Sequence, residues 1–126
     1  MNVRGFGTYM DTSHVKGVVE VSPKAITAIV SKAVLQCYGV VGVSGKRLRF
    51  GAAELLPPSR YENGIDVRLM NGVIVVDIYL ILEYGLSLVE ISRKAIEEVK
   101  TALTATMGLD SPIVNIIVRG IRPPNI

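Results

Sequence analysis

One cysteine and one histidine are all that this 126-residue chain carries of the side chains most used in nucleophilic and metal chemistry. With Cys37 alone, no intramolecular disulfide can form, and a reducing compartment is the natural reading. Cys37 also falls on the apolar stripe of an expected helix, where a small packed hydrophobe is the expected role rather than an activated thiol. His14 sits in an N-terminal stretch without periodicity, which points to a solvated side chain. One His and one Cys without a carboxylate at ligand spacing make no metal site. No catalytic, cofactor or metal residues are therefore assigned, and the expected protein is not an enzyme.

A long uncharged apolar run is missing as well. The most hydrophobic segment, VIVVDIYLILEYG at 73–85, is interrupted by Asp77 and Glu83. A membrane-spanning helix needs roughly 18–20 mostly uncharged residues, and each acid near a bilayer centre costs about 2.5–3.5 kcal/mol. Direct membrane insertion is therefore not expected. The opening MNVRGFGTYMDTSHVKG shows no charged region followed by an unbroken apolar stretch, so export by a secretory signal is not expected either.

What is present fits one domain of a size that buries its own core. The formal charge of +3 is unevenly spread: residues 1–60 hold eight Lys/Arg against three Asp/Glu, and residues 61–118 hold four against eight. Lys46, Arg47, Arg49 and Arg60 gather in or beside one connecting segment, which nominates them for contact with an anionic surface. At about 1 kcal/mol each, they would give at most ~4 kcal/mol on an anionic membrane, roughly millimolar binding. A protein partner would have to supply most of any membrane attachment.

VVEV at 18–21 reads as a short strand, and Ser22-Pro23 as a helix start with Ser at the N-cap and Pro at the first helical position. Ile26, Ile29, Val30, Ala33, Val34 and Cys37 recur at helical spacing. Lys24, Thr27, Ser31, Lys32 and Gln36 take the other side, and Gly39 ends the helix. GVVGVSG at 39–45 reads as a short strand or tight connection. The 46–64 segment, rich in Gly, Pro and mixed charge, reads as a long variable loop with one helical turn at AAELL.

Asn71-Gly72 predicts a two-residue type I′ turn. Its register pairs Met70 with Val73, Leu69 with Ile74, Val67 with Val76 and Ile65 with Ile78, all apolar. Asp66 falls opposite Asp77 and Arg68 opposite Val75 on the other face, and a slip by one residue would invert every pair. The two acids could raise one another's pKa, although diagonal Arg68 eases the repulsion. Ile74, Val76, Ile78, Leu80, Leu82 and Tyr84 form an apolar face to be covered by helices. The reverse face carries Val75, Asp77, Tyr79, Ile81 and Glu83.

Ser87-Leu88-Val89-Glu90 has the form of a capping box that opens a second helix. Leu88, Ile91, Ala95, Val99, Ala102 and Leu103 make its apolar stripe. Glu90 with Lys94, Arg93 with Glu97 and Lys94 with Glu98 are the expected surface pairs. Gly108 closes the helix, and VNIIVRGI at 114–121 is the last strand, with Asn115, Ile117 and Arg119 on the reverse face. The predicted fold is α+β: a two-layer sandwich of one mixed β-sheet with two helices on one face, in the order β-α-(β)-β-β-α-β.

These segments resemble the bacterial alkaline shock protein, or envelope stress response, family. The resemblance covers GVVEVSPKAITAIVSKAV, GVVGVSG, GIDVRLMNGVIVVDIYLILEYG, SLVEISRKAIEEVKTAL and VNIIVRGI, about residues 17–121. It leaves 1–16 as an N-terminal extension and 122–126 as a tail. It implies a non-enzymatic cytoplasmic scaffold or adaptor that self-associates and is held at the membrane by a membrane-anchored partner, with no catalytic residues to carry over.

The reverse sheet face is where the residues and the resemblance meet. Val75, Tyr79, Ile81 and Ile117, framed by Arg68, Asp77, Asp66 and Asn115, are expected to form a docking surface for another copy or a partner. The alternative is a small KH-like RNA-binding module built on Gly39-Val40-Val41-Gly42 and the basic 46–60 segment. Two valines between those glycines, and three acids on or beside the open face, weigh against nucleic acid.

Overall fold

The computed structural model describes residues 22–123. The expected strand at 18–21, His14 and the extension at 1–16 lie outside the described residues, as do residues 124–126. Within them, helix α1 (Pro23–Leu35) is followed by strands β1 (Val40–Arg49) and β2 (Ala52–Leu55) and a 3₁₀ helix (Pro58–Asn63). Strands β3 (Ile65–Met70) and β4 (Val73–Glu83), helix α2 (Leu88–Met107) and strand β5 (Ile113–Arg122) complete the order.

The central strand is β4, the most apolar segment of the chain. Its Asn71-Gly72 turn has positive φ at both residues, 52° and 82°, as a type I′ turn requires. The β3–β4 register is the expected one throughout, from Met70 opposite Val73 to Ile65 opposite Ile78. Beyond β3, the same edge of β4 takes β1, with Val43 opposite Leu80 and Val40 opposite Leu82. On the other edge β5 runs parallel to β4 over nearly its whole length. A parallel neighbour requires a crossover, and α2 supplies it.

Both helices pack on the face that carries the even-numbered residues of β4. Val76, Ile78, Leu80 and Leu82 are fully buried there, with Ile26, Val30 and Val34 of α1 and Ile91, Val99 and Leu103 of α2. Burying each such side chain contributes about 1.5–3 kcal/mol. Tyr84, expected on this face, is 72% exposed because β4 ends at Glu83. The α1 cap forms as expected, with Ser22 accepting from the Ala25 amide. Ser31, expected to face solvent, is buried and returns its hydroxyl to the Ala28 carbonyl at 3.1 Å. A small residue that satisfies its own hydroxyl fits between packed elements where a larger polar one would not.

The 46–64 segment is not a long loop. Strand β1 continues through Arg49, turns at Phe50-Gly51 and returns as β2, so AAELL is largely strand rather than a helical turn. Lys46, Arg47 and Leu48 are exposed, so this part of β1 lacks the apolar alternation that marks a strand packed on a core. The hairpin curls over the reverse face of the sheet. Arg122 Nη2 donates to the Ala53 carbonyl at 2.6 Å, and a Cβ on Gly120 would stand only 3.2 Å from the Ala53 Cβ.

Candidate docking face and basic hairpin

The curl of the β1–β2 hairpin divides the reverse face into a dry end and a wet end. At the dry end Ile81 is fully buried, with Gly42 opposite it on β1 and Gly120 on β5. Val75, flanked on its two neighbouring strands by Arg68 and Ile113, is 4% exposed. These two were expected to belong to an open docking surface and do not. The fold already covers them, because a central strand has neighbours on both edges and, at Ile81, a hairpin above it.

Tyr79 and Ile117 stand opposite one another on β4 and β5 and are half-buried. Beside them runs a polar ladder across three strands. Arg68 Nη2 donates to Asp77 Oδ2 at 2.6 Å, and Asn115 Nδ2 donates to Asp77 Oδ1 at 2.9 Å. Burial pushes the Asp77 carboxyl up, but the hydrogen bonds from Arg68 and Asn115 and the Arg68 charge outweigh it, and the group ends below its ordinary value. The Arg68 guanidinium is raised, first by its hydrogen bond to Asp77 and then by the Asp77 charge. The expectation that Asp66 would raise Asp77 is therefore overturned: Lys46 forms an ion pair with Asp66, and Arg68 and Asn115 hold Asp77.

The basic segment is also partly committed. Besides the Lys46–Asp66 pair, Arg60 Nη1 lies 3.2 Å from Glu54 Oε2. Arg47 is exposed, and the side chain of Arg49 lies outside what the structure describes. Lys46, Arg47, Arg60, Glu54 and Asn63 line a shallow groove of about 380 Å³ between the hairpin and the 3₁₀ helix. Four free cations on a flexible loop are thus replaced by a shaped edge with two internal ion pairs. Val40 to Gly42 lie in a strand paired with β4, not in a loop joining two helices as the KH pattern demands.

Cys37 lies just past α1, and its thiol is raised above the ordinary value, chiefly by burial and then by the Glu98 charge. A raised pKa leaves less of the nucleophilic thiolate. None of the helices among the described residues is long and apolar enough to cross a membrane.

The model of the alkaline shock protein family, described as having a cell envelope-related function, matches residues 11–123. The chain belongs to this family. It is 32% identical over 110 residues to the uncharacterized protein YloU of Bacillus subtilis, covering 86% of this chain and 92% of that protein. A second uncharacterized B. subtilis protein, YqhY, is 26% identical over 106 residues, with 84% and 78% covered. Among solved structures, a MamM CTD variant aligns with a TM-score of 0.46 at 13% identity, over 77% of this chain and 95% of that one.

The resemblance drawn from the sequence is thus the family found. Sequence reasoning missed the Lys46–Asp66 and Arg122–Ala53 links. Both depend on the curl of the β1–β2 hairpin, which the long-loop reading left out.

Proposed function

We propose that this protein is a non-enzymatic scaffold or adaptor of the cell envelope, cytoplasmic in location. It acts by self-association and by docking a membrane-anchored partner on the wet end of its reverse sheet face. The observation that carries this reading is the one-sided build of the sandwich. Both helices cover one side of the sheet, while the other side presents Tyr79 and Ile117 beside the ordered Arg68–Asp77–Asn115 ladder. A preorganised polar ladder beside a half-buried aromatic gives a partner both orientation and apolar contact.

The test is crosslinking and pull-down from the native cell, comparing the wild type with Tyr79→Ser and Arg68→Ala. Loss of a membrane-anchored partner from both variants, with unchanged unfolding midpoints, is the expected outcome. Equal capture by all three proteins would sink the docking face. Retention on a polyanion column that falls steeply with salt would favour nucleic acid instead.

A further inference from the structure

Strand β5 is a ten-residue strand whose pairing, among the described residues, is with β4 alone. Its outer edge therefore presents a row of backbone donors and acceptors. Natural edges are usually blunted by Lys, Pro, bulges or very short length. From Ile113 to Val118 the strand has no Lys and no Pro, and it keeps regular register with β4, the irregularity coming only after Leu80.

Two polar groups on this strand are unfinished in a complementary way. Asn115 spends its amide nitrogen on Asp77, which leaves its carbonyl oxygen on the other branch of the side chain. Arg119, two positions past Ile117 on the same face, has a buried Nε with no hydrogen-bond partner. A buried guanidinium donor without an acceptor costs on the order of a lost charged hydrogen bond. Within one chain Asn115 and Arg119 are four residues apart along an extended strand and cannot meet.

Two antiparallel copies of β5 related by a two-fold axis through Ile117 bring them together. That register sets Asn115 opposite the second copy's Arg119, Ile116 opposite its Val118, and Ile117 against itself. Every residue keeps its face: the helix-side residues extend the core, and the reverse-side residues extend the polar ladder across the axis. Other registers either place Arg119 against Arg119 or exchange the faces.

We propose that the protein self-associates edge to edge, β5 pairing antiparallel with β5 of a second copy about Ile117, with the guanidinium of Arg119 donating to the Asn115 carbonyl of the other copy. This rests on the self-association reading above and specifies its geometry. It leaves the Tyr79 end of the sheet face open, so one assembly presents two docking faces side by side.

The test is solution mass by light scattering on the full chain, with four proteins: wild type, Asn115→Arg, the swap Asn115→Arg/Arg119→Asn, and Tyr79→Ser. The wild type and Tyr79→Ser are expected as dimers of the 13.6 kDa chain. Asn115→Arg sets guanidinium against guanidinium at both symmetric positions and is expected as a monomer, and the swap restores the dimer. As a check independent of charge, Ile117→Cys in a Cys37→Ala background should oxidise to a covalent dimer, because directly opposed strand residues have Cβ atoms ~4.5–5.5 Å apart, near disulfide range. Arg68→Cys in the same background should not crosslink.

An Asn115→Arg protein that stays dimeric, together with no crosslink at position 117, overturns the edge geometry while leaving self-association standing. A wild type that is monomeric up to its solubility limit overturns the edge geometry as well, and partner capture by the Tyr79 face remains separately measurable.

Discussion

Asp77 carries the largest electrostatic responsibility of any single side chain on the sheet. Its carboxyl is held below its ordinary value, so its contribution to stability is fully present above the unfolded value of ~3.9 and is lost as pH falls through the lower folded value. Raised Arg68 has the opposite sign and would matter only at strongly alkaline pH. Wild-type stability should therefore drop on acidification below pH ~4, and Asp77→Asn should flatten that part of the profile; urea midpoints across acidic pH check it. Ile81 and Tyr79 differ sharply although they stand on one strand face. Ile81→Ala should cost about 2–5 kcal/mol, as a core truncation does, and Tyr79→Ser about 1 kcal/mol, both read from urea unfolding. The even and odd faces of β4 could be told apart from the alternation of its residues. The burial of Ile81 could not, because it depends on a hairpin whose chemistry reads as loop.

At the level of elements, local signals worked where a turn or cap fixes them. Asn71-Gly72 determined the register of two strands, and Ser87 accepts from the Glu90 amide as its motif implies. Glu90 itself goes to Arg93 rather than to Lys94, and Arg93 also reaches Glu97 at 3.7 Å. Ser87→Ala should lower stability by about 1 kcal/mol, measured as a shift in urea midpoint without a change in slope. The β1–β2 hairpin escaped reading because Lys46, Arg47, Phe50 and Leu48 all face water there, and without a buried side no period of two appears in the sequence. Its attachment depends on the Arg122 guanidinium. Arg122→Ala should cost about 1.5 kcal/mol and speed amide exchange along Ala52–Leu55 relative to β3.

For the whole molecule, the sandwich architecture and the helical side were legible in the apolar stripes, and the family was legible in the β4 and β5 segments. The parallel pairing of β4 with β5 was harder to specify, since a crossover helix leaves strand register free where a tight turn would fix it. Internal ion pairing of Lys46 and Arg60 also changes what the basic segment can do. Binding to anionic vesicles should fall short of the ~4 kcal/mol available to four free cations. Co-sedimentation with phosphatidylserine vesicles at physiological salt should therefore recover little protein, and strong recovery would show that lipid contact needs no partner.

The parallel β4–β5 pairing also has a consequence during translation. Because β5 follows both β4 and the twenty-residue α2, the most apolar strand leaves the ribosome with one of its edges bare and stays so until the final strand emerges. A nascent chain arrested before Ile113 should be a far better chaperone client than one released after Arg122, and should clump once freed.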